Sequence, residues 1–200
     1  MWARLESNTI VEILTRPKAL NIGDVKYPRN IFSMWTEAEL AVIGIVPVTI
    51  DNTNLKDKEY YINTNQSFAY DTETGVATAT YGTATAKAIA DTLYTADDET
   101  DGLGTEGEVK QRGLKYAHKE RINSQAAGNL QPTDWMIIRA ADGGTAVPSD
   151  ITTKRAAVRT KANAMQAQID GAADVDALAA LYVYNDATPP VRPLGELPTV

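Results

Sequence analysis

The chain has no cysteine, one histidine, two phenylalanines and three tryptophans in 200 residues. Without a thiol there is no disulfide, thiolate nucleophile, iron–sulfur cluster or cysteine-type zinc site, and redox compartment leaves no mark on the sequence. His118 alone would have to serve any Ser-His-Asp triad or histidine-ligated metal. Set beside Lys119 and Glu120, it reads instead as a solvated helix residue. A Gly-x-Ser-x-Gly elbow, a Walker-type loop and a dinucleotide fingerprint are also missing, and Gly143-Gly144 reads as a helix stop. No apolar run approaches the roughly 20 residues that span a bilayer. The longest, residues 38–48, contains Glu39, Gly44 and Pro47. The opening Met1-Trp2-Ala3-Arg4-Leu5-Glu6 puts charge where a secretion signal needs an apolar core. The expectation is synthesis in a cytoplasm and no membrane partner. Positive charge is scarce as well: 19 basic residues against 26 acidic give a net charge of −7. That argues against nucleic acid, since phosphate binding needs a concentrated basic face.

What is present reads as an α+β chain. Residues 2–14 predict a β-hairpin turning at Glu6-Ser7-Asn8, with Ile10, Val11 and Ile13 supplying β-branched side chains before Pro17. Thr36-Glu37-Ala38-Glu39 has capping-box spacing, and Gly44 stops the short helix that follows. Residues 45–48 are extended, so 1–50 predict a small α+β module. A second hairpin is expected over 59–81, with Tyr60, Ile62, Phe68 and Tyr70 before a turn at 71–75. Residues 83–87 suit an extended linker and 86–94 a short helix, and an acidic, glycine-containing loop follows. The region 51–107 is therefore a central hairpin, short helix and acidic linker.

A C-terminal helical module is expected over 108–184. It opens with a helix at 108–127, then a brief one capped at Thr133 or Asp134 and closed by Asp142-Gly143-Gly144. Pro148-Ser149-Asp150 starts a helix whose apolar residues Ile151, Val158, Ala162, Met165 and Ile169 fall on one stripe. Gly171 ends it and Asp174 starts the last helix. Residues 185–200, with Pro189, Pro190, Pro193 and Pro198, read as an extended tail. There is no repeat of fixed period.

Three features invite a chemical reading. Asp97, Glu99, Asp101, Gly102 and Glu108 fall at positions one, three, five, six and twelve of an EF-hand register. Glu99 replaces the usual Asp or Asn, Gly107 weakens the helix that would deliver Glu108, and no second loop is available to pair. A solvated acidic linker is expected, with no metal and no cofactor. Trp135 is either a recognition aromatic or, as expected here, the anchor of a small helical core. The stripe from Ile151 to Ile169 is either an intramolecular packing face or a coiled-coil-like face for a partner.

Two stretches carry a family resemblance. Leu130-Gln131-Pro132-Thr133-Asp134-Trp135 begins one, which runs on through Ala140 and Gly144-Thr145-Ala146-Val147-Pro148 to a helix with Arg155 and Arg159. It resembles a C-terminal module of tail-fibre-associated and tail assembly proteins of tailed bacteriophages. Met1 to Glu6, Val11-Glu12-Ile13 and Tyr27-Pro28-Arg29-Asn30-Ile31-Phe32 resemble the N-terminal hairpin region of such proteins. The resemblance covers about 1–50 and 110–182 and carries no enzymatic residues. It implies a non-catalytic virion structural protein, a tail-fibre or baseplate component or adaptor, acting in a homo- or hetero-oligomer with other phage tail proteins. Within the same family the other role is a tail-fibre assembly chaperone that leaves the finished particle. Residues 1–50 and the helix from Ile151 to Ile169 are the two expected contacts.

Overall fold

Strand β1 (Trp2–Glu6) folds back as β2 (Thr9–Leu14) through Ser7 and Asn8. Both turn residues have positive φ, 49° and 62°, the region that a two-residue hairpin turn needs to match the twist of its strands. Short strands β3 (Leu20–Ile22) and β4 (Val25–Tyr27) form a second, smaller hairpin, followed by helices α1 (Ile31–Met34) and α2 (Glu37–Val42). The capping box at Thr36 forms: its hydroxyl accepts from the Glu39 amide, and the Glu39 carboxylate accepts from the Thr36 amide at 2.7 Å. Gly44 ends the helix at φ 76° and lies flush against β1. A Cβ there would sit 2.7 Å from the Leu5 carbonyl oxygen, while the Leu5 amide donates to the Gly44 carbonyl at 2.7 Å. Only glycine meets both demands.

Strand β5 (Ile45–Asp51) pairs antiparallel with β1 and parallel with a later strand. After the two-residue β6 (Tyr61–Ile62), the hairpin β7 (Gln66–Asp71) and β8 (Val76–Tyr81) completes a five-stranded sheet of order β2-β1-β5-β8-β7. The sheet curls until parts of β2 and β7 come within 8 Å, Cα to Cα. Alternation along the strands buries two sets of side chains. Leu14, Leu20, Ile31, Leu40 and Ile45 pack with Trp2, Phe32 and Trp35, whereas Ala3, Val46 and Ala77 pack with Leu5, Ile10, Ile13 and Tyr70.

The structure, a computed structural model, describes all residues from Met1 to Val200, and its compact units are Met1–Thr85 and Ala86–Val200. The boundary expected at residue 50 therefore falls inside a strand. The parallel pairing of β5 with β8, from Val48 opposite Ala77 to Asp51 opposite Thr80, binds the second hairpin into the first module. Tyr60 and Ile62, expected on the first strand of that hairpin, lie before it.

The strand β9 (Thr85–Ala86) stands where the two units meet in sequence. No helix forms over 86–94. That stretch is extended and carries β10 (Thr92–Leu93), because its backbone is engaged elsewhere. The Ala88 and Ile89 carbonyls accept, each at 3.0 Å, from the Leu114 and Lys115 amides at the start of helix α4 (Leu114–Leu130). Helix α3 (Ala96–Thr100) and strand β11 (Val109–Gln111), antiparallel to β10, lie between. The helix expected from residue 108 thus starts later, at 114. A 3₁₀ turn (Gln131–Thr133) leads to α5 (Asp134–Ala141), then to α6 (Ser149–Gly171) and α7 (Val175–Ala180).

Helices α4 and α6 run antiparallel: Lys119 pairs with Asp170 at 2.9 Å, Gln166 with Asn123 at 2.7 Å, and Arg155 with the Leu130 carbonyl at 2.7 Å. Their buried residues are His118, Ile122 and Ala126 on α4, and Arg155, Val158, Ala162, Met165 and Ile169 on α6. Residues 185–200 have no regular structure but are not a free tail. Leu194 is fully buried, its amide donates to Leu181, its carbonyl accepts from Lys161 at 3.0 Å, and Asn129 donates to the Pro198 carbonyl. No helix is long and apolar enough to cross a membrane.

Candidate interaction site

At the α4–α5 corner three backbone and side-chain acceptors converge on one guanidinium. Arg155, only 8% exposed, donates to the Leu130 carbonyl at 2.7 Å, to Thr133 Oγ1 at 2.6 Å and to Asp134 Oδ1 at 2.7 Å. The Thr133 hydroxyl in turn donates a hydrogen bond to the Leu130 carbonyl at 3.0 Å. A planar fork with several donors suits this task and a lysine point charge does not. Thr133-Asp134 and the arginine-bearing helix, two separate parts of the sequence motif, are thus the two halves of one clamp.

The clamp fixes the first turn of α5. That helix has no buried residue, and leaves Trp135 53%, Ile137 42% and Ile138 62% exposed. Trp135, expected as a core anchor, is therefore not one. Its ring is covered on one side by the Arg139 guanidinium, 4.8 Å from the centroid. The Arg139 Nε is buried and makes no hydrogen bond. Helix α5 ends in a Schellman motif, as Gly143 donates to the Ala140 carbonyl and Gly144 to that of Arg139, with Gly143 at φ 81°. Trp and Arg on a short helix braced at both ends are the residue types that dominate binding at protein interfaces.

The stripe residues occupy the other reading left open for them. Val158, Met165 and Ile169 are 0% exposed within this single chain, and Ile151 is half-buried at the helix start. They form an intramolecular core face. The expectation that the helix face from Ile151 to Ile169 serves as an assembly contact fails, because the core of this unit already covers it.

The acidic loop is built as a structural turn. Asp98, outside the EF-hand register, accepts from the Thr95 amide at 3.0 Å and pairs with Lys110 at 2.6 Å, and the lysine contact above all lowers its pKa. Glu99 accepts from the Glu106 amide at 3.2 Å, bracing the loop from within. The flanks are strands β10 and β11 where an EF-hand needs helices, and no group of three metal-ligating side chains forms.

His118, expected to be solvated, is 1% exposed, with its ring 4.9 Å from that of Tyr182. Nothing local to 114–122 signals this, since the covering residue belongs to the segment after α7. That same segment forms a feature that no local motif signals. A cleft of about 440 Å³ is lined by Ala180, Val183, Tyr184, Val191, Arg192 and Pro193. Arg192 bonds Glu196 at 2.8 Å and lies near the Tyr184 ring, and the Tyr184 hydroxyl donates to Glu196 at 2.6 Å. The neighbouring Glu196 carboxylate raises the phenol pKa. In the N-terminal unit a smaller cleft of about 320 Å³ lies among Trp35, Glu39, Val42 and Ile43.

No family model matches this chain, and neither a curated protein nor a solved structure is significantly similar to it.

Proposed function

We propose that the chain is a non-catalytic structural subunit of a tailed-bacteriophage tail, a fibre or baseplate component or adaptor that works by protein–protein assembly. The reading rests on the resemblance of its Thr-Asp-Trp and Arg-x-x-x-Arg elements to tail-fibre-associated proteins. One observation supports it most: Trp135 and Ile138 stand exposed on a helix with no buried residue, held at its base by Arg155. A large aromatic left in water costs solubility, whereas seated in a partner it becomes the kind of anchor that carries an interface. Docking would run through α5, with the partner a further subunit of the tail, of this chain or another.

The test is mass spectrometry of purified particles from a phage carrying the gene, wild type or Trp135→Ala. The subunit should be present in stoichiometric amount in wild-type particles and be lost or strongly depleted in the variant, with the variant still folded by circular dichroism. A wild-type chain absent from finished tails yet needed for fibre formation would replace this reading with the assembly chaperone. Normal incorporation of Trp135→Ala would remove α5 from the interface.

A further inference from the structure

Helix α5 and the Tyr184 cleft lie at opposite ends of one helical pair. The antiparallel register places the α4–α5 corner beside Arg155 and the chain after α7 beside the far end of α6, near Asp170. From Arg155 to Asp170 at about 1.5 Å per residue is roughly 22 Å. One end offers a knob: the exposed Trp135 indole with the Arg139 cation on its face, a cation that forms no ion pair. The other end offers a hole: an open cleft with exposed Val183, Tyr184 and Val191 on its walls. Its volume of about 440 Å³ lies within the roughly 300–1,000 Å³ of clefts that hold small molecules, and is ample for an indole. On the rim, Asn185 is followed by Asp186, an exposed carboxylate that pairs with no cation.

We propose that Trp135 of one copy seats in the Val183–Tyr184–Val191 cleft of a second copy, with Arg139 beside Asp186, so that copies join head to tail. The proposal rests on the reading of α5 as a docking helix and names its partner. Aromatic side chains meet an apolar wall carrying a tyrosine, and the single unpaired cation of the knob meets the unpaired carboxylate of the hole. Because knob and hole sit at opposite ends, each joined copy still presents one of each. Such heterologous contacts close into a ring or run on as a filament, unlike the self-limiting contact of a two-fold dimer.

The test uses the purified full chain in sedimentation and light-scattering measurements over a concentration series. Wild type should grow to species larger than a dimer or to one closed ring. Trp135→Ala should remain monomeric, with association weakened by at least about thirtyfold, as for a hot-spot aromatic. Val183→Arg, placed on an exposed wall, should do the same. Mixing these two variants leaves one intact knob and one intact hole per pair, so the mixture should form a dimer and nothing larger. Arg139→Glu and Asp186→Lys should each weaken association, and together in one chain restore it. A wild-type chain that stays monomeric throughout, or a mixture that fails to dimerise, would overturn the proposal. If that monomer still loses its place in particles when Trp135 is changed, docking through α5 stands and only the second copy as its partner falls.

Discussion

Arg155 Nη1 lies 2.6 Å from Thr133 Oγ1, and this bond ties the corner that ends α4 to the second turn of the chain's longest helix. Without Arg155 the Leu130 carbonyl and the Asp134 carboxylate lose their shared donor, and α5 loses its fixed base.

Arg155→Lys keeps the charge but cannot reach three acceptors at once. It should lower unfolding free energy by about 1.5–3 kcal/mol, the range for a hydrogen bond to a charged group, and Thr133→Val should cost less. Urea denaturation of both variants checks the order. An Arg155→Lys protein as stable as wild type would show that the clamp is ornamental to the fold.

Met165 and Trp135 should behave oppositely under truncation. Met165→Ala empties a fully buried site and should cost about 2–5 kcal/mol, whereas Trp135→Ala removes a ring that is 53% exposed and should change stability by less than about 1 kcal/mol. Thermal melts of the two proteins decide it. A larger loss for Trp135→Ala would return that ring to the core.

Two glycines of the same region have opposite forecasts. A Cβ on Gly113 would lie 2.3 Å from the Ala90 backbone, so Gly113→Ala must push apart the segment that caps α4, at a cost of about 1–3 kcal/mol. Gly128 sits inside α4 with nothing within 4 Å of such a carbon. Gly128→Ala should stabilise the helix by about 0.5–1 kcal/mol. Differential scanning calorimetry should move the two melting temperatures in opposite directions.

Asp91 gives the acid side of the stability profile a handle. The Gly113 amide first, and then Arg112, hold its carboxyl below the ordinary value of 3.8. A carboxyl depressed on folding contributes stability that is complete above its unfolded pKa and is lost as pH falls through the folded one. Asp91→Asn should therefore melt lower than wild type at neutral pH, with the difference shrinking below about pH 4. A difference that stays constant down to strongly acidic pH would mean that Asp91 acts through packing alone.

The elements legible in the sequence are those whose chemistry is local. The Ser7-Asn8 turn, the Thr36–Glu39 box, the Asp174 cap (its carboxylate accepting from Ala177 at 2.8 Å) and the Gly143 stop each need only a few consecutive residues. The α6 stripe was legible too, but not what covers it, since periodicity marks a face as apolar without naming its neighbour. Distant partners account for the misses. Residues 86–94 have helix-forming composition, yet their carbonyls serve the start of α4. His118 is buried by Tyr182 from beyond α7, and the parallel pairing of β5 with β8 links strands with β6 and β7 between them. The candidate site was legible as a motif, Thr133-Asp134-Trp135 with Arg155, whereas the direction in which Trp135 points follows from the clamp alone.

The burial of Leu194 sets an order of events during synthesis. The strands, helices and both apolar clusters of the N-terminal unit are all contained in the first 86 residues, so that unit can fold while the ribosome is still making the helices of the second unit. The second unit cannot. Leu194, whose carbonyl accepts from Lys161 of α6, is translated only after all of its helices, and until then the site that it fills is open to solvent and to other chains. A clone cut back to residue 184, which by composition discards only a proline-rich end, would make that interval permanent and should accumulate as aggregate.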